Sequence, residues 1–372
     1  MVNRVYLAII LVVIALIVFS FLQKSSLVAP KTSSHQQALN TDSEKYSWEI
    51  KTIATGLEVP WDLALAEGRL FITERPGRLK VLENNQLKTI ATLPQVVSIG
   101  ESGLTGITLH PKFRENNFLF LYYTYREAGQ ILNRVSRFTF NQNSLGDEKI
   151  ILDKLPGGGI HNGGRLRFGP DGKLWVLTGD AAKPNLAQDI TSLGGKVLRL
   201  NDDGTIPSDN PIKGSPVFSL GHRNPQGLAW HLVTQELLIT EHGQTAHDEI
   251  NLIKPNNNYG WPEVQKCFSE DPRFTNPILC SGEETYAPSG IAAFNDSFVF
   301  AGLKGNLLEM VEVGGGKVGG RETIIKDTYG RLRAVITDKE GNIYVSTSNR
   351  DGRGNPTSED DRILKITPKL NN

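Results

Sequence analysis

From about residue 48 onward, the chain repeats one pattern of apolar and polar positions. A short apolar run leads into a turn rich in glycine, asparagine, aspartate or proline, and a second apolar run follows. In the clearest copy, Pro170-Asp171-Gly172 separates residues 165–168 from residues 174–178. Because these turn residues favour a tight reversal, the pattern predicts a β-hairpin. The six copies are residues 61–66 with 70–73, 104–109 with 118–124, 165–168 with 174–178, 226–230 with 236–240, 289–294 with 297–301, and 333–337 with 343–346.

A third apolar run follows each hairpin, at residues 78–82, 135–140, 196–200, 249–253, 306–310 and 362–366. Successive hairpins lie about 45 to 60 residues apart, which is the size of a propeller blade. Since helical periodicity is almost absent between the copies, we predict an all-β fold, a six-bladed β-propeller of antiparallel sheets. Residues 46–54 are expected to close the ring as the outer strand of the last blade. A β-sandwich with a second domain is the alternative, but it does not explain why all six copies share one phase.

The N-terminus has a different pattern. Residues 5–22 are apolar except for Ser20, with Arg4 before them and Lys24 after them. A buried core helix is an alternative, but a segment this long and uniform indicates export, as a cleaved signal peptide or a retained anchor. No A-x-A site closes the run, which favours the anchor. We therefore expect an anchor or signal in residues 1–29, a polar tether in 30–45 and a catalytic propeller in 46–372, located in the periplasm or otherwise outside the cytoplasmic membrane.

Composition narrows the choice of partners. The chain has 40 basic and 40 acidic residues, so its net charge gives no reason to expect nucleic acid as a partner. A charged ligand would need a local cluster. The two cysteines, Cys267 and Cys280, could form a disulfide outside the cytoplasm or remain two unrelated thiols.

All six copies have the same order of strand, turn and strand, and this order predicts where a ligand-binding site lies. In a propeller the first strand of each blade lines the central channel, so residues before the first strands and after the second strands collect at one mouth. The positions before or at the start of the first strands are Trp61, Asp62, Glu101, His161, Arg223, Asn224, Thr285, Tyr286, Arg331 and Arg333. The ends of the second strands add Asp180, Glu241, His242, Gly243 and Lys304 to the same rim.

His161 and Asp180 flank the third hairpin and should face each other. An imidazole whose tautomer and basicity are set by a carboxylate is suited to act as a general base. Glycines around His161 leave room for a ligand. A structural histidine is the alternative, but the shared rim favours catalysis.

Four cations are expected at the same mouth: Arg223, Lys304, Arg331 and Arg333. Guanidinium groups favour carboxylate and phosphate, so this concentration of charge indicates a multiply anionic ligand. Salt bridges to Glu101, Glu241 and Asp180 are the alternative.

The segment 241–249 resembles a metal-binding motif, but its two histidines are five residues apart in a loop and nothing else completes a zinc set. Backbone carbonyls near Gly243 would suit a hard cation such as calcium better.

Three longer motifs carry a family resemblance: Leu220-Gly-His-Arg-Asn-Pro-Gln-Gly-Leu-Ala229, Asp248-Glu-Ile-Asn-Leu-Ile253 and Asn258-Tyr-Gly-Trp-Pro262. They closely resemble the soluble quinoprotein sugar dehydrogenases, and the resemblance extends from about residue 57 to residue 366. It implies a propeller that carries pyrroloquinoline quinone (PQQ) and calcium and oxidises the C1 hydroxyl of aldoses to lactones.

The resemblance also implies residue roles. His161 would take the proton of the anomeric hydroxyl while hydride passes to the quinone, and Asp180 would orient His161. Arg223 is placed with this catalytic pair and also with the cofactor ligands. The cofactor ligands implied are Glu101, Arg223, Asn224, Thr285, Lys304, Arg331 and Arg333. The carbonyls of Gly243 and Gln244 would bind the calcium.

Two departures from the family pattern affect these expectations. Glu101 stands where the glucose enzyme has glutamine, so it could pair with an arginine, lie near the calcium or weaken cofactor binding. The region from Cys267 to Cys280 is short, which is similar to the monomeric aldose sugar dehydrogenases, and we expect a monomer.

We expect an exported enzyme that passes electrons from an aldose to a membrane or soluble acceptor. The alternative is a binding propeller without redox chemistry, similar to the hedgehog-interacting relatives of this family. Retention of the catalytic pair together with the cationic set argues against it. A calcium-dependent lactonase would need a central ring of carboxylate and asparagine ligands, whereas the predicted rim is mainly cationic.

Overall fold

The computed structural model of the protein describes residues 45–371. The N-terminal anchor and almost all of the polar tether predicted from the sequence lie outside the described residues. Between residues 45 and 371, no helix is both long enough and apolar enough to cross a membrane.

Strands dominate the described chain. They are β1 (Tyr46–Ala54), β2 (Pro60–Ala66), β3 (Arg69–Glu74), β4 (Arg78–Glu83), β5 (Gln86–Thr92), β6 (Leu104–Leu109), β7 (Phe118–Glu127), β8 (Gln130–Asn141), β9 (Ser144–Pro156), β10 (Leu166–Phe168), β11 (Leu174–Thr178), β12 (Lys196–Leu200), β13 (Val217–Leu220), β14 (Pro225–Trp230), β15 (Leu237–Glu241), β16 (Glu249–Ile253), β17 (Leu279–Cys280), β18 (Pro288–Phe294), β19 (Ser297–Gly302), β20 (Leu307–Gly314), β21 (Lys317–Lys326), β22 (Leu332–Thr337), β23 (Ile343–Thr347) and β24 (Ile363–Leu370). A one-turn helix α1 (Phe113–Asn116) and a 3₁₀ turn (Pro184–Ala187) interrupt them.

The strands form six four-stranded antiparallel sheets. Each sheet is one blade, and blades 1 to 5 are built from consecutive strands: β2 to β5, β6 to β9, β10 to β13, β14 to β17 and β18 to β21, in that order. The sixth has the order β1-β24-β23-β22, so the first strand completes the last blade. Six such sheets make a six-bladed β-propeller, which confirms the fold class predicted from the sequence. All six hairpins, the third strands and the closing strand lie where the apolar pattern predicted them.

Apolar side chains fill the spaces between neighbouring blades. Between blades 1 and 2, Phe71 packs edge-on against Phe140 with ring centroids 5.1 Å apart, and Leu119 and Leu121 are fully buried beside them. The alternation of apolar and polar residues on the strands produces this packing, because every second side chain faces a neighbouring sheet. Burying one such side chain contributes roughly 1.5–3 kcal/mol.

Charged side chains link the inner strands of blades 1, 2 and 3 across the channel. Asp62 on β2 is fully buried, forms an ion pair with Arg165 and accepts hydrogen bonds of 2.8 Å from Arg167. The Ile107 backbone N–H on β6 also donates to Asp62, at 3.1 Å. Burial alone would raise the pKa of Asp62, but the two arginines outweigh it and the pKa lies below its usual value. Asp62 is therefore ionised, and it fixes the first three blades relative to each other.

Cys267 and Cys280 form a disulfide, with their Cα atoms 5.6 Å apart. The bond closes a loop between β16 and β17. These are the two outer strands of blade 4, farthest from the channel.

Candidate active site

The two residues that flank the third hairpin meet at the mouth of the channel. His161 Nδ1 lies 2.8 Å from Asp180 Oδ1. Asp180 is fully buried, whereas the His161 side chain keeps 13% of its surface exposed. A buried carboxylate on one ring nitrogen leaves the other nitrogen available for a proton, which is the arrangement a general base requires.

The backbone around His161 is held from three sides. His161 itself has a left-handed φ of 57° and accepts a hydrogen bond from Ala181 N at 2.9 Å. Its own N–H donates to Glu101 Oε2 at 3.1 Å. Two residues further on, Gly163 N donates to Asn224 Oδ1 at 3.2 Å. Blades 2 and 4 therefore set the conformation of the loop that carries the histidine.

Glu101 forms an ion pair with Arg353, whose NH1 lies 2.7 Å from Glu101 Oε1. Burial alone would raise the pKa of Glu101. The hydrogen bond from the His161 N–H and the ion pair with Arg353 outweigh burial and hold the pKa below its usual value. Of the roles considered for this acid, pairing with an arginine is the one observed, although the partner is Arg353 and not one of the four cations predicted at the mouth.

Arg223 connects the His161–Asp180 pair with the loop after β15. Its carbonyl oxygen accepts from Asp180 N at 2.8 Å, its backbone N–H donates to Glu241, and its guanidinium lies 5.3 Å from the centroid of the Trp261 ring. NH1 donates to the His242 carbonyl at 3.3 Å, and Nε is buried with no partner in the part of the chain that the structure describes. Burial lowers the pKa of Arg223, although Asp180 and Glu241 act in the opposite direction.

Arg331 and Arg333 share one carboxylate that the sequence analysis did not identify. Asp351 Oδ2 lies 2.9 Å from Arg331 NH2 and 3.6 Å from Arg333 NH2. Arg333 Nε also donates to Ser348 Oγ at 3.1 Å. Burial lowers the pKa of Arg333 to about 9, and Asp351 opposes this shift. Two buried guanidinium groups with a single carboxylate between them leave positive charge uncompensated.

Lys304 and Thr285 lie on neighbouring parts of blade 5. Lys304 N donates to Tyr286 O at 3.0 Å, and the side chain of Lys304 is exposed. Within residues 45–371, no carboxylate lies within ion-pair distance of its ammonium group. Thr285 Oγ1 donates to the Thr245 carbonyl at 3.0 Å, so the threonine is tied to the loop that carries Gly243 and Gln244.

Asp248 holds that loop in place. Its Oδ1 accepts from Gly243 N at 3.0 Å, and its Oδ2 accepts from Tyr286 N and Ala287 N at 2.7 and 2.8 Å. In the part of the chain that the structure describes, no hydrogen bond ends on the carbonyl oxygen of Gly243 or of Gln244. Nor does any cluster of three histidine, cysteine, aspartate or glutamate side chains there form a metal site. Cation ligands in this loop would therefore be backbone oxygens.

Three buried side-chain nitrogens at the mouth have no partner among the described residues: Arg75 Nε, Arg223 Nε and His242 Nε2. Arg75 is close enough to Asp351, Glu101 and Arg353 to interact with their charges, and His242 interacts with Arg223, Arg333 and Glu101. Burial lowers the pKa of His242 to about 4, so it is neutral at physiological pH. Buried polar atoms in native proteins are almost always paired, so these nitrogens indicate a polar or anionic ligand.

Four members of this site were not predicted from the sequence: Arg75, Asp351, Arg353 and Trp261. Arg75 directly follows β3, and Asp351 follows β23, so the same rule that predicted Asp180 could have identified both of them. Trp261 lies in the long loop between β16 and β17, and the phase of the hairpins carries no information about it.

Fold and site together define a propeller enzyme, with a histidine–aspartate pair beside a set of buried cationic donors. Residues 57–355 match the Glucose / Sorbosone dehydrogenase family, and the chain belongs to that family. An aldose sugar dehydrogenase from Escherichia coli is 29% identical over 360 residues, which cover 86% of this chain and 93% of that protein. The quinoprotein glucose dehydrogenase B of Acinetobacter calcoaceticus is 35% identical over 254 residues, covering 59% of this chain and 53% of that protein.

The propeller is also similar to the solved structure of the PQQ-bound form of an aldose sugar dehydrogenase from Streptomyces coelicolor. The TM-score is 0.82 at 37% identity, over 87% of this chain and 99% of that one. These relatives confirm the prediction that the chain is an oxidoreductase of the sugar dehydrogenase class.

Proposed function

We propose that the protein is a PQQ- and calcium-dependent dehydrogenase that oxidises the C1 hydroxyl of aldoses to the corresponding lactones. The observation that carries the proposal is the position of the His161–Asp180 pair beside buried cationic donors that lack partners among residues 45–371. The relatives support the choice of cofactor, because one is a quinoprotein and another was solved with PQQ bound.

The mouth suits an anion with several carboxylates, such as PQQ. Arg223, Lys304, Arg331 and Arg333 would hold its carboxylates and quinone oxygens, with Asn224 and Thr285 at its edge. Glu101 would lie next to it. Arg75 Nε and His242 Nε2, which have no partner within residues 45–371, extend the same surface. Calcium would be bound by the carbonyl oxygens of Gly243 and Gln244, which accept no hydrogen bond within residues 45–371. Hard cations prefer oxygen ligands of this kind.

When bound, PQQ supplies the acceptor for the hydride that leaves C1 of the sugar. The residues of the chain manage the proton. Nε2 of His161 would take the proton from the anomeric hydroxyl, so that the C–O single bond becomes the lactone carbonyl as the hydride departs. Asp180 would hold Nδ1–H of the ring and stabilise the imidazolium that forms. The charge that develops on His161 is thus neutralised by a carboxylate that is already buried and desolvated.

We further propose that the protein works outside the cytoplasmic membrane, as a monomer that passes electrons to a membrane or soluble acceptor. The apolar run at residues 5–22 supports this location, and so does the Cys267–Cys280 disulfide.

The test is a titration of the full-length apoprotein with PQQ and calcium. It is followed by the absorption of the cofactor and by dye reduction with a panel of aldoses. We expect saturable uptake of PQQ and sugar-dependent bleaching. The His161→Ala variant should take up PQQ but lose the bleaching. Absence of PQQ binding with calcium in excess would overturn the proposal and favour a binding propeller for another anion.

A further inference from the structure

The motif Asn258-Tyr-Gly-Trp-Pro262 contains a side chain that reaches the catalytic pair. Trp261 Nε1 donates a hydrogen bond of 2.8 Å to Asp180 Oδ2. The other oxygen of the same carboxylate, Oδ1, lies 2.8 Å from His161 Nδ1 and accepts from Ala182 N at 2.8 Å. Each carboxylate oxygen of Asp180 therefore has its own donors, and the indole is the side-chain donor on the oxygen that does not face the histidine.

The surrounding loop fixes the indole. Trp261 N donates to Gly221 O at 2.9 Å, and Gln188 Nε2 donates to Trp261 O at 2.6 Å. Asn258 exchanges hydrogen bonds with the same Gln188 side chain, at 2.7 and 3.0 Å. Gly221 has a φ of 80°, and a Cβ there would lie 2.1 Å from Asn258 Oδ1. These bonds join the loop between β11 and β12 of blade 3, which carries Gln188, to the loop between β16 and β17 of blade 4, which carries Asn258 and Trp261.

We propose that Trp261 is a positioning residue that fixes the orientation of the Asp180 carboxylate and thereby the tautomer of His161. With Oδ2 occupied by the indole N–H, Oδ1 remains the acceptor for Nδ1–H, and Nε2 carries the lone pair that faces the mouth. This inference rests on the proposed role of His161 as the base. A buried tryptophan usually finds some partner for its N–H. The informative observation is therefore that the partner of Trp261 is the carboxylate of Asp180.

Without the indole N–H, the fully buried Oδ2 would lose its side-chain donor. A buried carboxylate oxygen that lacks a donor is energetically costly. The carboxylate would therefore rotate so that Oδ2 approaches a remaining donor, such as Ala182 N, which now bonds Oδ1. The bond to Nδ1 would then weaken, and both neutral tautomers of the ring would be populated. Only one of them has its lone pair on Nε2.

The test compares Trp261→Phe with Trp175→Phe. Trp175 is also buried and also donates through its indole N–H to an aspartate, Asp171, at 3.3 Å, but it lies on β11, away from the mouth. Apoprotein labelled with ¹⁵N-histidine reports the tautomer of His161 through its ring nitrogen shifts, with His161→Gln used to assign the signals. We expect one tautomer, protonated on Nδ1, in the unchanged protein and in Trp175→Phe, and a mixture in Trp261→Phe.

Activity provides the second readout. In the PQQ-loaded enzyme, Trp261→Phe should lower kcat by about 10- to 100-fold with little change in KM, because proton transfer is affected and sugar binding is not. A single Nδ1-protonated tautomer in Trp261→Phe would overturn the inference. The tautomer measurement needs no cofactor, so failure to oxidise sugars would count against the proposed function without affecting this inference.

Folding is controlled in two ways. Circular dichroism and the melting temperature show whether Trp261→Phe keeps the propeller. If it does not fold, benzothienylalanine introduced at position 261 alone keeps the bicyclic ring and lacks only the N–H donor. The same mixture of His161 tautomers is expected there, and an unchanged tautomer would overturn the inference.

Discussion

Glu101 Oε2 accepts the backbone N–H of His161 at 3.1 Å, and this bond joins blade 2 to the loop that carries the proposed base. The other oxygen of Glu101 pairs with Arg353. A carboxylate at this position thus orients the histidine and also places a negative charge beside the proposed site of a trianionic cofactor. Orienting the histidine favours the reaction, whereas the negative charge weakens binding of the cofactor. Substitutions at Glu101 can separate these two effects.

Replacing Glu101 by glutamine keeps an oxygen for the His161 N–H but removes the charge. We expect Glu101→Gln to bind PQQ about threefold to tenfold more tightly, with kcat nearly unchanged, because like-charge repulsion is lost. Glu101→Ala removes the acceptor as well, so its kcat should fall. Titration of the apoprotein with PQQ and steady-state kinetics measure both effects. Weaker PQQ binding by Glu101→Gln would contradict this account.

Asp351 is the only carboxylate among the described residues within ion-pair distance of Arg331 and Arg333. Asp351→Asn would leave two buried guanidinium groups unpaired, and we expect a loss of about 3–5 kcal/mol in the free energy of unfolding of the apoprotein. PQQ should restore part of this loss. Asp271→Asn, which removes an exposed pair with Arg273, is the control and should leave the unfolding midpoint unchanged. Urea unfolding with and without PQQ measures the difference, and equal losses in both conditions would argue against an anion at these arginines.

Lys304 is exposed at the mouth and forms no ion pair within residues 45–371. We therefore expect Lys304→Ala to weaken PQQ binding by about tenfold without loss of stability, because a charge-assisted bond to the cofactor is removed. Lys339→Ala, in the turn of blade 6 at the opposite face, is the matched control. Equilibrium titration and thermal unfolding provide the two measurements. Equal PQQ affinity in both variants would exclude Lys304 from the site.

Gly243 allows the tight turn that exposes two carbonyl oxygens. A Cβ at this position would lie 2.0 Å from Ala246 O and 2.5 Å from His247 O, so Gly243→Ala must displace the loop. We expect this variant to keep the propeller but to lose the calcium dependence of PQQ binding. Gly314→Ala, at the exposed end of β20 where a Cβ meets nothing within 4 Å, shows the effect of a glycine replacement elsewhere. Isothermal titration with calcium at fixed PQQ tests this, and unchanged calcium affinity would place the cation elsewhere.

The ion pairs of Asp62 predict a loss of stability in acid. In the folded protein, the pKa of Asp62 lies below its usual value of 3.8. As the pH falls, Asp62 is therefore protonated in the unfolded chain at a higher pH than in the folded protein. The contribution is therefore complete above about pH 4 and disappears at lower pH. Asp62→Asn should be less stable than the unchanged protein at pH 7, and the gap should narrow by pH 3. Urea unfolding at pH 7, 5 and 3 tests the sign, and a gap independent of pH would contradict it.

The sequence predicted the fold and the contact between His161 and Asp180 because both depend on local patterns. The turn at Pro170-Asp171-Gly172 fixes the third hairpin, and its geometry alone brings His161 and Asp180 to one end. Asp351 could also have been predicted, because it follows β23, the second strand of the last hairpin, and pairs with Arg331 just before the first strand. Arg353 and Trp261 instead reach partners in other blades. Arg353 of blade 6 pairs with Glu101 of blade 2, and Trp261 of blade 4 donates to Asp180 of blade 3. No periodicity in the chain predicts such contacts between loops of different blades.

The ring is closed by strands from opposite ends of the propeller sequence. Ser47 on β1 donates to Lys369 O on β24, a contact between residues 322 positions apart. Contacts of such long range form slowly, because much chain entropy is lost before they stabilise anything. During synthesis, blades 1 to 5 can assemble before β24 has been made and can pair with β1 in the sixth blade. Until the ribosome has made β24, an unpaired strand edge stays exposed to other chains, and aggregation competes with folding over that interval.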